Sequence, residues 1–256
     1  MNLSCIPVHN SKTGRTGYSN HAMICAFIVM KCEGFSQISD LHDYLSNNLV
    51  IAHYCGFVIS RKLPSYAKLT RFIREFDNDI LQTVMQSQVL KAAGLSLIDS
   101  SFIALDANPV KANVSNNNPK SFKKDKLSKA SPPKADKDCR LGVQTVSNQH
   151  DEKKYELYWG YNNHILVDCT IPDDYRLSID RSSIAFKSVY ALRTEAKRYN
   201  SHFKQAGCEI VFVRSGNSVK NLNTIAHISL LSIAIAAVIT KKDISYRSVK
   251  TLKRLS

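Results

Sequence analysis

The chain is short of acids, of glycine and of long apolar runs, and each shortage closes a class of function. Only 21 Asp and Glu stand against 35 Lys and Arg, a formal net charge of +14 over 256 residues. That imbalance favours a polyanionic partner, nucleic acid first, over an acidic metabolite. Among nine glycines none builds a phosphate loop, because Gly14 and Gly17 lack a preceding strand and a Lys-Ser/Thr end. Nucleotide-binding enzymes of that kind are excluded. The seven cysteines, Cys5, Cys25, Cys32, Cys55, Cys139, Cys169 and Cys208, include no C-x-x-C pair and no zinc spacing. They read as reduced thiols of a cytoplasmic protein. His42, His53, His164, His202 and His227 show no ligand spacing and read as structural. The longest apolar run, Ile225 to Ile239, is shorter than the ~20 residues of a membrane helix, and the N-terminus lacks a secretory pattern. The expectation is a buried C-terminal helix and no membrane partner.

What is present is globular. A 44% hydrophobic content can bury a substantial core. Composition divides the chain into 1–18, a loose polar arm; 19–98, a helical N-terminal region; 99–240, a second region of strands and helices; and 241–256, a basic tail. Within 19–98 an apolar run from Ala22 to Met30, a short helix near Ile38 to Leu45 that Ser39 can cap, and a further helix after Pro64 are expected. Ile98 to Leu105 alternates like a strand ending at Asp106. From Lys111 to Lys137, eight Lys accompany two Asp without apolar period, the pattern of a basic loop inserted in the domain. Lys154–Trp159 and His164–Cys169 read as two antiparallel strands joined by a turn at 160–163. A helix from Ser182 or Ser183 to about Lys204 follows. The fold class expected is α+β.

Two helices carry chemistry in this reading. After Pro64, Lys68, Arg71 and Arg74 fall opposite Leu69, Phe72, Ile73 and Phe76, giving an apolar floor and a basic edge able to lie on DNA. In the later helix, Tyr190, Arg193, Lys197 and Lys204 share one face at about 100° per residue, beside an apolar stripe of Val189, Leu192, Ala196, Tyr199 and Phe203. Glu195 is turned roughly 200° from Lys197. It reads as a solvated partner for Arg198 or as a weak stand-in carboxylate.

The spacing Tyr190-x2-Arg193-x3-Lys197-x6-Lys204 resembles the Tyr, Arg, Glu, Lys signature of the DDE transposases of bacterial insertion sequences, with Lys197 at the Glu position. Other pieces resemble that family in the same order. Leu63-Pro-Ser-Tyr-Ala-Lys-Leu-Thr-Arg-Phe72 is similar to its N-terminal helical segment, and Phe102-Ile-Ala-Leu-Asp106 to its first core strand and aspartate. Asp138-Cys-Arg-Leu-Gly142 resembles its motif after the insertion, Tyr158 to Asp168 the following strand pair, and Asn221-Leu-Asn-Thr-Ile-Ala226 the lead into the terminal helix.

The resemblance implies a truncated ribonuclease-H-like mixed sheet with C-terminal helices over 99–240, and a DNA-binding helical region over 19–98. It implies double-stranded DNA and insertion-sequence ends as partners, with homo-oligomers allowed. It further implies cleavage and strand transfer with Mg²⁺ or Mn²⁺ held by carboxylates, Asp106 being the first ligand and Lys68, Arg71, Arg74, Tyr190, Arg193 and Lys204 the DNA-binding residues. The third acid is replaced by Lys197, and too few residues separate Asp168 from Tyr190 for the strand, helix and strand that carry the second. Asp168, Asp173, Asp174 and Asp180 instead read as turn or capping residues. The expectation is a transposase-like protein that binds DNA with an incomplete acidic triad; the alternatives are a working transposase with other acids and a basic RNA- or protein-binding module.

Overall fold

The computed structural model describes residues 2–9, 17–98, 103–114, 133–146, 154–168 and 197–240. Five helices open the chain: α1 (Asn20–Cys32), α2 (Ile38–Asn47), α3 (Leu49–Cys55), α4 (Tyr66–Glu75) and α5 (Asn78–Gly94). Three strands follow, β1 (Ile103–Lys111), β2 (Arg140–Val146) and β3 (Lys154–Asp168). A helical stretch at 197–203 runs into a π turn at Lys204–Cys208, together α6, and α7 (Gly216–Ile239) closes the described chain. The class is α+β, as the composition and patterning lead one to expect.

Helix α1 forms because its apolar residues cover most of its circumference, and it is accordingly central: Ile24, Ala26, Phe27 and Met30 are wholly inaccessible. Helix α4 is the opposite type. Leu69 and Ile73 are buried while Lys68, Arg71 and Arg74 are exposed, a one-sided pattern that fixes which face meets the core. The apolar core is continuous from α1–α5 through Phe203 and Ala206 of α6 to Leu222, Ile225 and Ile228 of α7. By length and composition α7, with a mean hydropathy of 2.0 over its most apolar window, could cross a membrane. Here it packs against α1, α4 and α5.

Several expectations are corrected. Segment 2–9 is not a loose arm: Ile6 is buried, Asn20 donates Nδ2 to the Pro7 carbonyl at 2.9 Å, and the Asn20 N–H reaches the Val8 carbonyl at 2.8 Å. Ser39 does not cap α2, whose N-cap is Gln37; the Ser39 hydroxyl points to Asp40 at 3.4 Å. Strand β1 does not end at Asp106 but runs on to Lys111, into what read as the loop. It tolerates Pro109 because that residue lies on an edge strand, where a missing N–H costs no ladder bond. Strand β2 begins inside the motif at 138–142 and has no counterpart in the sequence reading.

The largest correction concerns 154–168, one strand and not two. Strand β3 is the middle of an antiparallel sheet of order β1-β3-β2. Its first half, from Lys154 to Gly160, pairs with β2, and its second, from Gly160 to Asp168, pairs with β1. Gly160 is therefore the hinge of two ladders and not of a turn. A Cβ there would lie 2.3 Å from the Val110 carbonyl oxygen and 2.9 Å from the Tyr158 ring, so only glycine lets the backbones approach. Among the described residues the parallel pairing beside these strands is one bridge, Lys111 to Ile210.

Candidate functional site

Helix α4 presents the first candidate surface. Asn221 and Asn217 of α7 hold its C-terminus: Asn221 donates to the Ile73 and Phe76 carbonyls, both at 2.8 Å, and Asn217 donates to the Arg74 and Phe76 carbonyls at 2.7 and 3.0 Å. These amides satisfy carbonyls that a helix end otherwise leaves without partners. Asn78 Nδ2 in turn donates to Asn221 Oδ1 at 2.9 Å and Thr224 Oγ1 at 3.0 Å. So fixed, α4 turns Lys68, Arg71 and Arg74 outward. Arg74 meets Glu75 at 3.2 Å, an exposed contact that neutralises it little. Lys68 and Arg71 border a hollow of about 290 Å³ with Tyr18 and Phe72.

The other candidate residues are only partly gathered. Asp106 lies within β1, its Cα opposite Ile165, and Asp168 ends β3 opposite Ile103 rather than standing in a turn. Lys197 and Lys204 are exposed on α6, and Lys204 reaches Glu209 at 2.8 Å. Of the expected apolar stripe, Phe203 is fully buried and Tyr199 half-buried, and Val189, Leu192 and Ala196 lie outside the described residues. Tyr190, Arg193 and Glu195, and with them Asp173, Asp174 and Asp180, lie outside the described residues.

A second surface escaped the sequence reading. Between β2–β3 and the helices α5 and α7 lies an open cleft of about 960 Å³, bordered by Asp138, Arg140, Tyr158, Asn163, Lys220 and Asn223 among others. Two aspartates position its walls. Asp136, buried, accepts from Tyr161 at 2.7 Å and from the Ser215 N–H at 3.3 Å, and Asp138 accepts from the Gly216 N–H at 2.7 Å. Both carboxylates sit at the N-terminus of α7, where the free N–H groups and the helix dipole favour negative charge. They clamp the sheet to the helix and hold Ser215 at φ +81°. Burial, and then the Asp136 carboxylate, push the Tyr161 phenol well above its ordinary value. The only sequence signal for the clamp was the Asp-x-Asp spacing at 136–138.

Metal chemistry needs clustered hard donors. Among the described residues no three His, Cys, Asp or Glu side chains gather for a metal ion. Asp136 and Asp138 are occupied by N–H and O–H donors, which suits anchoring and not a divalent cation. The described residues thus do not fit a two-ion site.

His227, at the cleft's inner edge, stacks on Phe203 and Tyr199 at ring distances of 5.0 and 5.7 Å. It exchanges a hydrogen bond with the Tyr199 hydroxyl, and Asn163 Nδ2 approaches its other nitrogen at 3.4 Å. Burial holds its pKa down at about 4, against an ordinary 6.5, and pushes the Tyr199 phenol upward. The imidazole is neutral at pH 7. Because the folded state resists the proton that the unfolded chain accepts, the contribution is intact above pH 6.5 and is lost as pH falls toward 4. It amounts to on the order of 3 kcal/mol. Urea unfolding should show stability falling over that window, and His227→Phe should flatten this part of the profile.

Compared with family models, with curated proteins and with solved structures, the chain shows no match.

Proposed function

We propose that the chain is a transposase-like DNA-binding protein of the DDE kind, in which DNA binding is retained and strand cleavage is not. The observation that carries the reading is the exposed basic edge of α4, Lys68, Arg71 and Arg74, set over a buried apolar face in a chain of net charge +14. Such an edge binds phosphates with little regard to sequence. The ordered resemblance of the segments from Leu63 to Ala226 supports the lineage, and a ribonuclease-H-like ancestry of the sheet is part of the same proposal. A cation at Lys197, where the family carries a metal-holding Glu, supports loss of cleavage, since a positive charge repels Mg²⁺ or Mn²⁺. Asp106 is the one residue of the reading that would hold such an ion. Insertion-sequence ends are the targets the lineage suggests.

Anisotropy of a labelled duplex over a salt series tests this. The logarithm of the binding constant should fall linearly with the logarithm of salt, by about 0.9 for each phosphate neutralised. Lys68→Ala, Arg71→Ala and Arg74→Ala combined should reduce that slope by about 2 to 3. These side chains are exposed, so the variant folds. A flat salt response, or no binding at low salt, defeats the proposal; nicking of supercoiled DNA by the purified protein defeats its second half.

A further inference from the structure

We infer that the cleft between β2–β3 and the first half of α7 is a second nucleic-acid site, which takes one or two unpaired nucleotides of a single DNA strand. The inference rests on the nucleic-acid reading above and adds a site, a strand state and a role for residues outside α4.

The electrostatics select an anion. Arg140 from β2 and Lys220 from α7 stand on facing walls. Arg140 donates Nη1 to the Lys137 carbonyl at 3.1 Å and the Cys139 carbonyl at 3.4 Å, bonds that fix the guanidinium against its wall without neutralising it. The acidic residue of the lining, Asp138, already receives the Gly216 N–H at the positive end of α7. His227 adds no charge at neutral pH. The walls therefore carry excess positive charge, as a phosphodiester requires.

The rest of the lining suits a base. Asn223 Oδ1 is buried without a hydrogen-bond partner, and a buried amide oxygen of this kind is incomplete until a donor arrives. The exocyclic amine or ring N–H of a base supplies one, and Asn163 and Asn223 bring the paired donor and acceptor groups of amides to the same space. Tyr158 is buried and forms part of the floor: its ring packs across the backbone at Gly142 and Gly160, where added Cβ atoms would meet it at 2.5 and 2.9 Å, and its hydroxyl donates to Asn162 at 2.9 Å. A volume near 960 Å³ is at the upper end of the ~300–1,000 Å³ of small-ligand sites. It admits a nucleotide or two, whereas a duplex, with a major groove alone ~12 Å wide, stays outside.

The test pairs two labelled probes, a thymidylate single strand of about eight nucleotides and a blunt duplex, each titrated by anisotropy at one salt concentration. Arg140→Ala with Lys220→Ala should weaken single-strand binding about tenfold while leaving duplex affinity within about twofold. The triple α4 variant should do the reverse. Both cleft residues are exposed, and thermal melting confirms that the variants fold. An unchanged single-strand affinity in the cleft variant, or an equal loss for both probes, overturns the inference. If the unaltered protein binds duplex but not single strand, the cleft site is refuted and the DNA-binding reading stands; if it binds neither, both fall.

Discussion

Gly160→Ala should cost the protein much of its stability. The methyl would sit 2.3 Å from the Val110 carbonyl oxygen, a backbone atom that cannot swing aside without breaking the β1–β3 ladder at its junction with β2. Overpacking of a buried site costs about 1–3 kcal/mol when side chains can adjust, and more when they cannot, so a loss of about 3 kcal/mol or more is expected in urea unfolding. Two comparisons isolate the cause. Gly142→Ala meets the Tyr158 side chain first, nearest at 2.5 Å, and should cost less because a side chain can shift. Gly94→Ala, in helix α5 with nothing within 4 Å, should raise stability by about 0.5–1 kcal/mol. Equal effects at Gly160 and Gly94 would refute the account of β3 as one continuous strand.

Asn221→Leu should be comparably damaging. The residue is wholly buried and makes three hydrogen bonds, two donated to the Ile73 and Phe76 carbonyls and one accepted from Asn78. Leucine preserves the volume and removes all three. Each buried group left without a partner costs ~1–3 kcal/mol, and Asn217 still serves the Phe76 carbonyl at 3.0 Å. A net loss on the order of 4 kcal/mol follows, read as a drop in thermal midpoint. Asn217→Ala, on the exposed side of the same helix end, should lose roughly a third of that. If both variants melt with the parent, the amide clamp contributes nothing.

How much of this was legible in the sequence depends on whether the cause was local. Apolar runs placed α1 and the C-terminal helix, which are apolar around most of their circumference, and periodicity placed α4, whose spacing sets Leu69 and Ile73 in the core against Lys68 and Arg71 outside. The basic edge was legible for the same reason. The β3 error came from Gly160, Asn162 and Asn163, which read as a turn: glycine was required not by chain reversal but by the Val110 backbone 50 positions earlier. The Ser39 cap failed because α2 begins one residue before it. The cleft was illegible altogether. Arg140 and Lys220 come from different elements, and what faces them toward one space is the pairing of Asp136 and Asp138 with Ser215 and Gly216, at separations of 79 and 78 residues. No window of sequence contains both partners.

The amide clamp on α4 also has a consequence for biosynthesis. Asn221 and the Ile73 carbonyl it holds are 148 residues apart, and at ~5–20 residues per second the ribosome needs roughly 7–30 s to make the second after the first. Throughout that delay the nascent helix α4 has no partner for its C-terminal carbonyls, and the side of α1 destined for α7 has no cover. The helices nearest the N-terminus are therefore the first to emerge and among the last to be completed, and a holding chaperone has its natural customer in that interval.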